Sequence, residues 1–178
     1  MPNLSNIKMA MIVASKDFRD EEYFVPREIF DEAGFTVRVV SDEIGTAQGT
    51  DGGELNVDID LSDLDVLNFD AIVFIGGPGA LTYLDNEDSY KVAKDAIIQN
   101  KILAAICISP AILAKAGVLI GKKATIWISP LDKSAQKTLE QNGAIYQKDS
   151  VVQDGNIITG NGPAAAKAFA NKIVDSLK

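Results

Sequence analysis

The sequence predicts a single α/β domain over residues 1–178, a flavodoxin-like three-layer sandwich with a mostly parallel central sheet and helices on both faces. Short apolar runs alternate with segments of helical period along the chain, which is the pattern of parallel strands joined by crossover helices. The runs at 7–14 and 102–106 are almost entirely apolar, as expected of strands buried on both faces. No linker, internal repeat or low-complexity tract divides the chain.

The first half of the chain is predicted to contain three strands of the central sheet, two helices and a small hairpin. The first helix begins at the acidic cluster Asp20, Glu21 and Glu22, and Val25, Ile29 and Ala33 repeat at helical spacing within it. The predicted elements are, in order, a strand at 7–14, a helix at 20–33, a strand at 35–41, a hairpin within 45–64, a strand at 70–75 and a helix at 86–101.

The second half continues the same alternation and ends with a hairpin and a helix. Asp154-Gly155 is a favourable turn pair for that hairpin, and Pro163 is a favourable first residue for the last helix. The predicted elements are, in order, a strand at 102–106, a helix at 109–117, a strand at 124–128, a helix at 130–142, a hairpin within 145–160 and a helix from 163.

Composition excludes several classes of function. The chain has 17 Lys and Arg against 25 Asp and Glu, a formal net charge of −8, and no basic cluster that would bind a nucleic acid. It has no histidine, so this chain alone cannot form a Ser-His-Asp triad, a Cys-His pair or a His-ligated zinc site. Its 1 cysteine excludes an intrachain disulfide.

No membrane segment, metal site or organic cofactor is expected. The apolar stretch 102–121 is interrupted by Ser109, Pro110 and Lys115, and the N-terminus resembles a first strand more than a signal peptide, so a cytoplasmic location is predicted. The acidic segment that begins at Asp58 fails the calcium-loop pattern, because position six is not glycine and position twelve is not glutamate.

Cys107 is the first candidate for chemistry, since it lies between a predicted strand and a predicted helix. The free N–H groups and the positive dipole end of that helix would lower the pKa of its thiol below the usual value of about 8.5. The alternative is that Cys107 is a small buried apolar residue.

Two further features fall where the carboxyl ends of parallel strands would gather a ligand. Gly76 and Gly77 follow the strand at 70–75, and paired glycines let backbone N–H groups approach a reacting atom, although a tight turn also explains them. The cluster around Glu22 follows the first strand, and its alternative role is to stabilise a helix N-terminus.

These segments resemble the ThiJ/PfpI family, the group of the Parkinson-disease-associated deglycase and the PfpI-type intracellular peptidases. The resemblance rests on the first-helix, glycine-pair, nucleophile and closing segments of the chain, namely EYFVPREIFDEAGFTV, FDAIVFIGGPGA, AAICISPAILAKAGVLIGKKAT and DGNIITGNGPAAAKAFANKIVDSL. It implies that Cys107 is the nucleophile, that Glu22 contacts the thiol, that the glycine pair with Ile108 supplies backbone donors, and that the protein is a homodimer or larger homo-oligomer.

The chain departs from the family at two positions. PfpI-type peptidases usually have histidine after the cysteine, where this chain has Ile108, and deglycase-like members often have histidine in the segment matching 127–130, where the candidate pocket residues here are Trp127 and Ser129. The resemblance therefore favours a cysteine-dependent enzyme for small carbonyl substrates over a peptidase. A redox sensor oxidised at Cys107, a chaperone-like binding module and a catalytically silent family member are the alternatives.

Overall fold

The computed structural model describes residues 6–178 and divides them into strands joined mostly by helices. The strands are β1 Lys8–Val13, β2 Lys16–Phe18, β3 Thr36–Ser41, β4 Thr46–Gly49, β5 Glu54–Asn56, β6 Ile59–Asp60, β7 Ala71–Phe74, β8 Ile102–Ile106, β9 Lys123–Ala124, β10 Ile145–Tyr146, β11 Val151–Asp154 and β12 Ile157–Gly160. The α-helices are α1 Asp20–Glu32, α2 Ala80–Tyr83, α3 Glu87–Ile98, α4 Pro110–Lys115, α5 Ser134–Gln141 and α6 Ala166–Ser176.

The main sheet has the strand order β11-β12-β8-β7-β1-β3-β6. Its neighbours are parallel except β11 and β12, which form an antiparallel hairpin. The chain runs outward from β1 to β3 and β6, then returns to the other side of β1 with β7 and β8. The sheet order therefore reverses at β1, and the carboxyl ends of β1, β7 and β8 lie side by side where such sheets bind ligands.

Alternate residues of the central strands build two separate cores. Met9, Met11 and Val13 of β1 pack with α1 and α6 on one face of the sheet. Ala10 and Ile12 pack with α3, α4 and α5 on the other face. The two-residue period of the strand thus directs side chains into both helical layers, and the predicted three-layer sandwich is confirmed.

Most of the predicted elements are confirmed, because long apolar runs and clear helical periods determine them. The predicted strand at 102–106 has the bounds of β8, and the predicted hairpins appear as β4 with β5 and β11 with β12. The first helix is also present, but its most buried face is Glu22, Tyr23, Pro26 and Phe30, while the predicted apolar repeat at Val25, Ile29 and Ala33 is only half-buried.

Two predictions after α4 are wrong in extent. The strand predicted at 124–128 is reduced to β9, which pairs with β10 in a separate two-stranded sheet. Beyond β9 the Trp127 N–H donates to the Cys107 carbonyl at 2.8 Å instead of to a neighbouring strand. The helix predicted at 130–142 begins only at Ser134, because Ser129 and Asp132 close a turn through N–H to carbonyl bonds of 3.0 and 3.2 Å.

A separate sheet of three short strands positions the start of α1. β2 pairs with β4, and β4 pairs with β5, so the loop between β4 and β5 is held against the first turn of the helix. Across residues 6–178 no helix has both the length and the apolar character needed to cross a membrane.

Candidate active site

Cys107 lies on a sharp turn between β8 and α4. Its φ is 64°, a left-handed conformation that is unfavourable by about 1–2 kcal/mol for a residue with a side chain. Two backbone bonds hold the turn in place: the Cys107 N–H donates to the Gly160 carbonyl at 2.9 Å, and the Cys107 carbonyl accepts from Trp127 at 2.8 Å. The side chain is 7% exposed. A strained backbone over-determined by its neighbours is typical of a functional position.

Gly76 allows the ends of the strands to meet at the thiol. A Cβ atom at this position would lie 2.6 Å from the Cys107 Cβ, 2.8 Å from the Glu22 Oε1 and 2.8 Å from the Ile106 carbonyl oxygen. No side chain fits in that space. Glycine is therefore required here by the close approach of α1, β7 and β8, which is what brings the predicted thiol and carboxyl together.

Gly77 places a backbone donor beside the sulfur. Its φ of 116° is readily adopted only by glycine, and a Cβ atom there would collide with the backbone of Phe18 and Arg19. The N–H groups of Gly77 and Ile108 both act on the Cys107 sulfur and lower the pKa of the thiol. These are two of the three backbone donors expected from the resemblance, and the third, the Gly76 N–H, acts on the Glu22 carboxyl instead.

Ser109 holds the Gly76 turn and the Cys107 turn together. It was not identified as a site residue from the sequence. Its buried hydroxyl donates to the Ile75 carbonyl at 2.7 Å, which ties the start of α4 to the end of β7. The bond fixes Gly76 and Cys107 relative to each other. A hydroxyl two residues after a candidate nucleophile is the only sequence signal for it, and that signal is weak because a serine at a helix start is common.

Glu22 is a buried acid without a well-formed hydrogen bond. Its side chain is 0% exposed, and neither carboxyl oxygen has a partner of good geometry among residues 6–178. Burial raises the pKa of Glu22 to about 7, although the Cys107 thiol, the Arg19 charge and the Gly76 N–H each lower it. The carboxyl therefore exchanges a proton near neutral pH.

The thiol does not have the lowered pKa that its position predicted. Burial and the negative charge of Glu22 raise the pKa of Cys107 to about 12, and the two backbone N–H groups do not offset this. The helix that follows has only six residues, so the expected dipole effect is small. Near neutral pH the first proton leaves the pair while the second is retained, because two adjacent negative charges in a buried site are unfavourable.

A pocket of about 410 Å³ opens onto the Cys107 turn. Its lining consists of Arg19, Gly77, Pro78, Leu81, Cys107, Ile108, Trp127 and Pro163. Trp127 is 37% exposed and forms part of the wall, as expected from the sequence. Ser129 is not part of the lining, and its hydroxyl accepts from the Asp132 N–H at 3.0 Å within the turn.

Arg19 is the pocket residue that sequence reasoning missed. It precedes the acidic cluster and is the N-cap residue of α1, with no side-chain capping bond. The only signal in the sequence is its position three residues before Glu22, which places both near the same helix turn. Within the described range, no group of three Cys, Asp or Glu side chains is arranged to hold a metal ion.

Fold and site together define a class: α/β proteins whose single cysteine lies on a strained strand-to-helix turn at the carboxyl edge of a parallel sheet, beside a buried glutamate. The chain belongs to the DJ-1/PfpI family, whose sequence profile matches residues 7–176.

Named relatives and solved structures support this assignment. Deglycase PfpI of Pyrococcus furiosus is 30% identical over 168 residues, which cover 94% of this chain and 98% of that protein. The ThiJ/PfpI domain protein of Brachyspira murdochii has a crystal structure that aligns with a TM-score of 0.88 and 37% identity, covering 97% of this chain and 96% of that one. Drosophila melanogaster DJ-1beta aligns with a TM-score of 0.85 and 27% identity, covering 97% and 90% of the two chains.

Proposed function

We propose that this protein is a cysteine-dependent enzyme that acts on small reactive carbonyl compounds, in the manner of a glyoxalase or deglycase. The observation that carries the proposal is the pairing of Cys107, which lines an open pocket, with a buried glutamate whose pKa is raised to about 7. A base with that pKa is half-ionised at neutral pH, which is the condition for efficient proton transfer.

The first step is addition of the thiol to the aldehyde carbon of a 2-oxoaldehyde. Glu22 accepts the thiol proton as the bond between sulfur and carbon forms, so the attack does not require a thiolate at rest. The developing alkoxide lies next to the N–H groups of Gly77 and Ile108 and then takes a proton, which gives a hemithioacetal. The raised pKa of Cys107 does not prevent this step, because the thiol passes its proton directly to the Glu22 carboxylate as the bond to carbon forms.

The second step converts the hemithioacetal to product with the same base. Glu22 removes the proton from the sulfur-bearing carbon and returns a proton to the neighbouring carbon, while the hydroxyl proton on the sulfur-bearing carbon moves to the oxygen of the neighbouring carbon. The product is a thioester of a 2-hydroxy acid. Water then hydrolyses the thioester and regenerates the Cys107 thiol. The sum is one 2-oxoaldehyde plus one water giving one 2-hydroxy acid, with no external oxidant or reductant.

Consumption of methylglyoxal tests the proposal, with lactate formation measured in the same sample. Wild type is expected to form lactate, Cys107→Ala to form none above the protein-free rate, and Glu22→Gln to be slower by about 10²–10⁴-fold. The exposed neighbour provides the matched control, because Glu21→Gln removes the same charge from the same helix turn and should leave the rate unchanged. A wild type no faster than Cys107→Ala would refute the proposal.

The pH profile provides a second readout of the same roles. The ionised form of Glu22 is the active base, so kcat/KM should rise with pH through a midpoint near 7. Replacing the carboxyl with an amide removes the titrating group. The residual activity of Glu22→Gln should therefore lack this rise.

The redox-sensor alternative is less well supported by the geometry. Oxidation by peroxide proceeds fastest at a thiolate, and the raised pKa of Cys107 keeps its thiol protonated at rest. We expect mild peroxide to produce no selective gain of two oxygen atoms at Cys107 by mass spectrometry. A peptidase activity is disfavoured because Ile108 occupies the position of the family histidine, and the cytoplasmic location and homo-oligomeric state stay predictions.

A further inference from the structure

Arg19 is a charged residue in the pocket that the proposed reaction does not use. It lines the pocket together with Cys107, and its Nε atom is buried without a hydrogen-bond partner anywhere in residues 6–178. None of the ion pairs within that range involves Arg19. A buried donor without an acceptor is rare in folded proteins and indicates a missing partner.

The other arginines show that this state is specific to the pocket. Arg27, two turns further along α1, donates to Asp31 at 2.9 Å and to the Tyr23 hydroxyl at 2.7 Å. Arg38 lies on the exposed edge of β3, in a different surface pocket that also contains Asp63. Only Arg19 combines a buried nitrogen, no acceptor in the described chain and a position beside the nucleophile.

The backbone holds Arg19 at the pocket. Its N–H donates to the Gly76 carbonyl at 3.0 Å, and its carbonyl accepts from the Glu22 N–H at 3.1 Å. These bonds connect the backbone of Arg19 to Gly76 and to Glu22, the two residues that lie against Cys107. The backbone of this pocket-lining residue is therefore fixed before a ligand arrives.

Glu22 does not serve as the partner of Arg19. The positive charge lowers the pKa of Glu22, but burial outweighs it, and no ion pair forms between the two side chains. Much of the remaining lining is apolar, with Pro78, Leu81 and Trp127 in the wall. An anionic group of a ligand would thus meet one planar cation in a largely apolar pocket.

We propose that the pocket selects carbonyl compounds that carry a carboxylate, and that Arg19 binds this carboxylate while Cys107 attacks the carbonyl carbon. The choice of carboxylate follows from geometry and charge: a guanidinium matches its two oxygens with two parallel hydrogen bonds, and one negative charge is less costly to desolvate than the two of a phosphate. The carbonyl part of this inference rests on the proposed function. The carboxylate-binding part rests on Arg19 alone.

Alkylation of Cys107 tests the anion site without any turnover. Iodoacetate and iodoacetamide attack the same sulfur and differ mainly in that one carries a carboxylate, so the ratio of their rates cancels any change in the pKa of the thiol. We expect the iodoacetate to iodoacetamide ratio to fall about tenfold to a hundredfold in Arg19→Gln, with Arg19→Lys between that variant and wild type.

The control variant is Arg38→Gln, which removes the same charge at a remote exposed site and should keep the wild-type ratio. An equal fall in Arg38→Gln, or no fall in Arg19→Gln, would overturn the inference. Propionate should also protect Cys107 from iodoacetamide better than inorganic phosphate at the same concentration. Better protection by phosphate would overturn the choice of carboxylate.

Turnover of two matched 2-oxoaldehydes then tests the substrate class. 4,5-Dioxopentanoate and 2-oxopentanal have the same carbon skeleton, and the terminal carboxylate of the first replaces the methyl group of the second. Wild type should prefer the anion in kcat/KM, and Arg19→Gln should lose about tenfold to a hundredfold of that preference.

The two ways of failing are distinct. Turnover of 2-oxopentanal without preference for the anion would overturn this inference and leave the proposed function intact. Turnover of neither compound would overturn the proposed function, and the alkylation ratio would still decide whether Arg19 binds an anion.

Discussion

Asp20 and Glu22 are two carboxyl groups in the first turn of one helix, and they have opposite environments. Asp20 accepts hydrogen bonds from the N–H groups of Asp51 and Gly53 at 2.8 and 2.7 Å. Glu22 is more deeply buried and has no well-formed bond of this kind among the described residues. Burial by itself raises the pKa of both groups, but the backbone bonds reverse the direction for Asp20, whose pKa is lowered, while that of Glu22 rises to about 7.

The difference follows from where the helix points each side chain. Two residues along an α-helix correspond to a rotation of about 200°, so Asp20 and Glu22 lie on opposite sides. Asp20 faces the loop between β4 and β5, whose backbone N–H groups need an acceptor. Glu22 faces Gly76 and Cys107, where a satisfied carboxylate would be a poor base. One acid is therefore held by backbone bonds, and the other is left with the raised pKa that the proposed proton transfer requires.

The largest expected difference between the two acids is in how stability depends on pH. The folded-state pKa of Glu22, about 7, is above its ordinary value of 4.5. Between these values the unfolded chain releases the proton while the folded protein keeps it, so the free energy of unfolding falls by roughly 3 kcal/mol as pH rises from 4.5 to 7. Glu22→Gln should lack this loss.

Urea unfolding of both proteins at pH 4 and pH 8 measures the effect. The variant should gain roughly 3 kcal/mol of stability relative to wild type between these two conditions, because all other titrations cancel in the difference. Glu21→Gln, an exposed change in the same helix turn, should show a nearly constant difference. A constant difference for Glu22→Gln as well would mean that the carboxyl is not buried in the folded protein.

Asp20→Asn should have a smaller effect and the opposite pH dependence. The amide can accept only one of the two N–H bonds, so a loss of about 1–3 kcal/mol in the free energy of unfolding is expected at pH 7. Because the pKa of Asp20 is lowered, its contribution is present above its unfolded-state pKa and disappears as pH falls through the folded-state pKa. Wild type and variant should therefore converge in acid.

Thermal unfolding and methylglyoxal turnover together check this prediction. The turnover rate of Asp20→Asn should remain close to wild type at temperatures where the protein is folded, in contrast to Glu22→Gln. If Asp20→Asn lost activity without losing stability, the division of roles between the two acids would be wrong.

The sequence alone could identify both acids but not their difference. A cluster of three acidic residues at a helix start favours a capping role over a catalytic one, and the groups that distinguish the two acids are far away in the chain: the loop at 50–53 for Asp20 and the turn at 76–77 for Glu22. The fold and the position of Cys107 were predictable since apolar runs and strand ends are local features. The raised pKa of the thiol was not, because it depends on Glu22 lying beside it.

Contacts between residues far apart in the chain also explain why the sequence did not reveal the role of Arg19 or the position of Ser129. The position of Arg19 three residues before Glu22 was only a weak signal, since the significance of Arg19 lies in a missing partner that only the folded environment reveals. Ser129 was expected near the pocket because it lies in the segment where deglycase-like members of the resembled family often have a histidine. The strand ends at Ala124, and the Trp127 N–H then donates to the Cys107 carbonyl, a long-range bond that the sequence does not predict.

Thr50→Val should have the smallest effect and shows which groups satisfy Asp20. The Thr50 hydroxyl donates to the Asp20 carboxylate at 3.4 Å, whereas the two backbone bonds are 2.8 and 2.7 Å. A bond this long is weak, and valine has nearly the same shape, so the free energy of unfolding should fall by only about 0.5 kcal/mol. Thr46→Val, an exposed change on β4, is the matched control in urea unfolding. A loss as large as that of Asp20→Asn would assign the stabilisation to the hydroxyl and not to the loop backbone, and would remove the contrast with Glu22 as explained here.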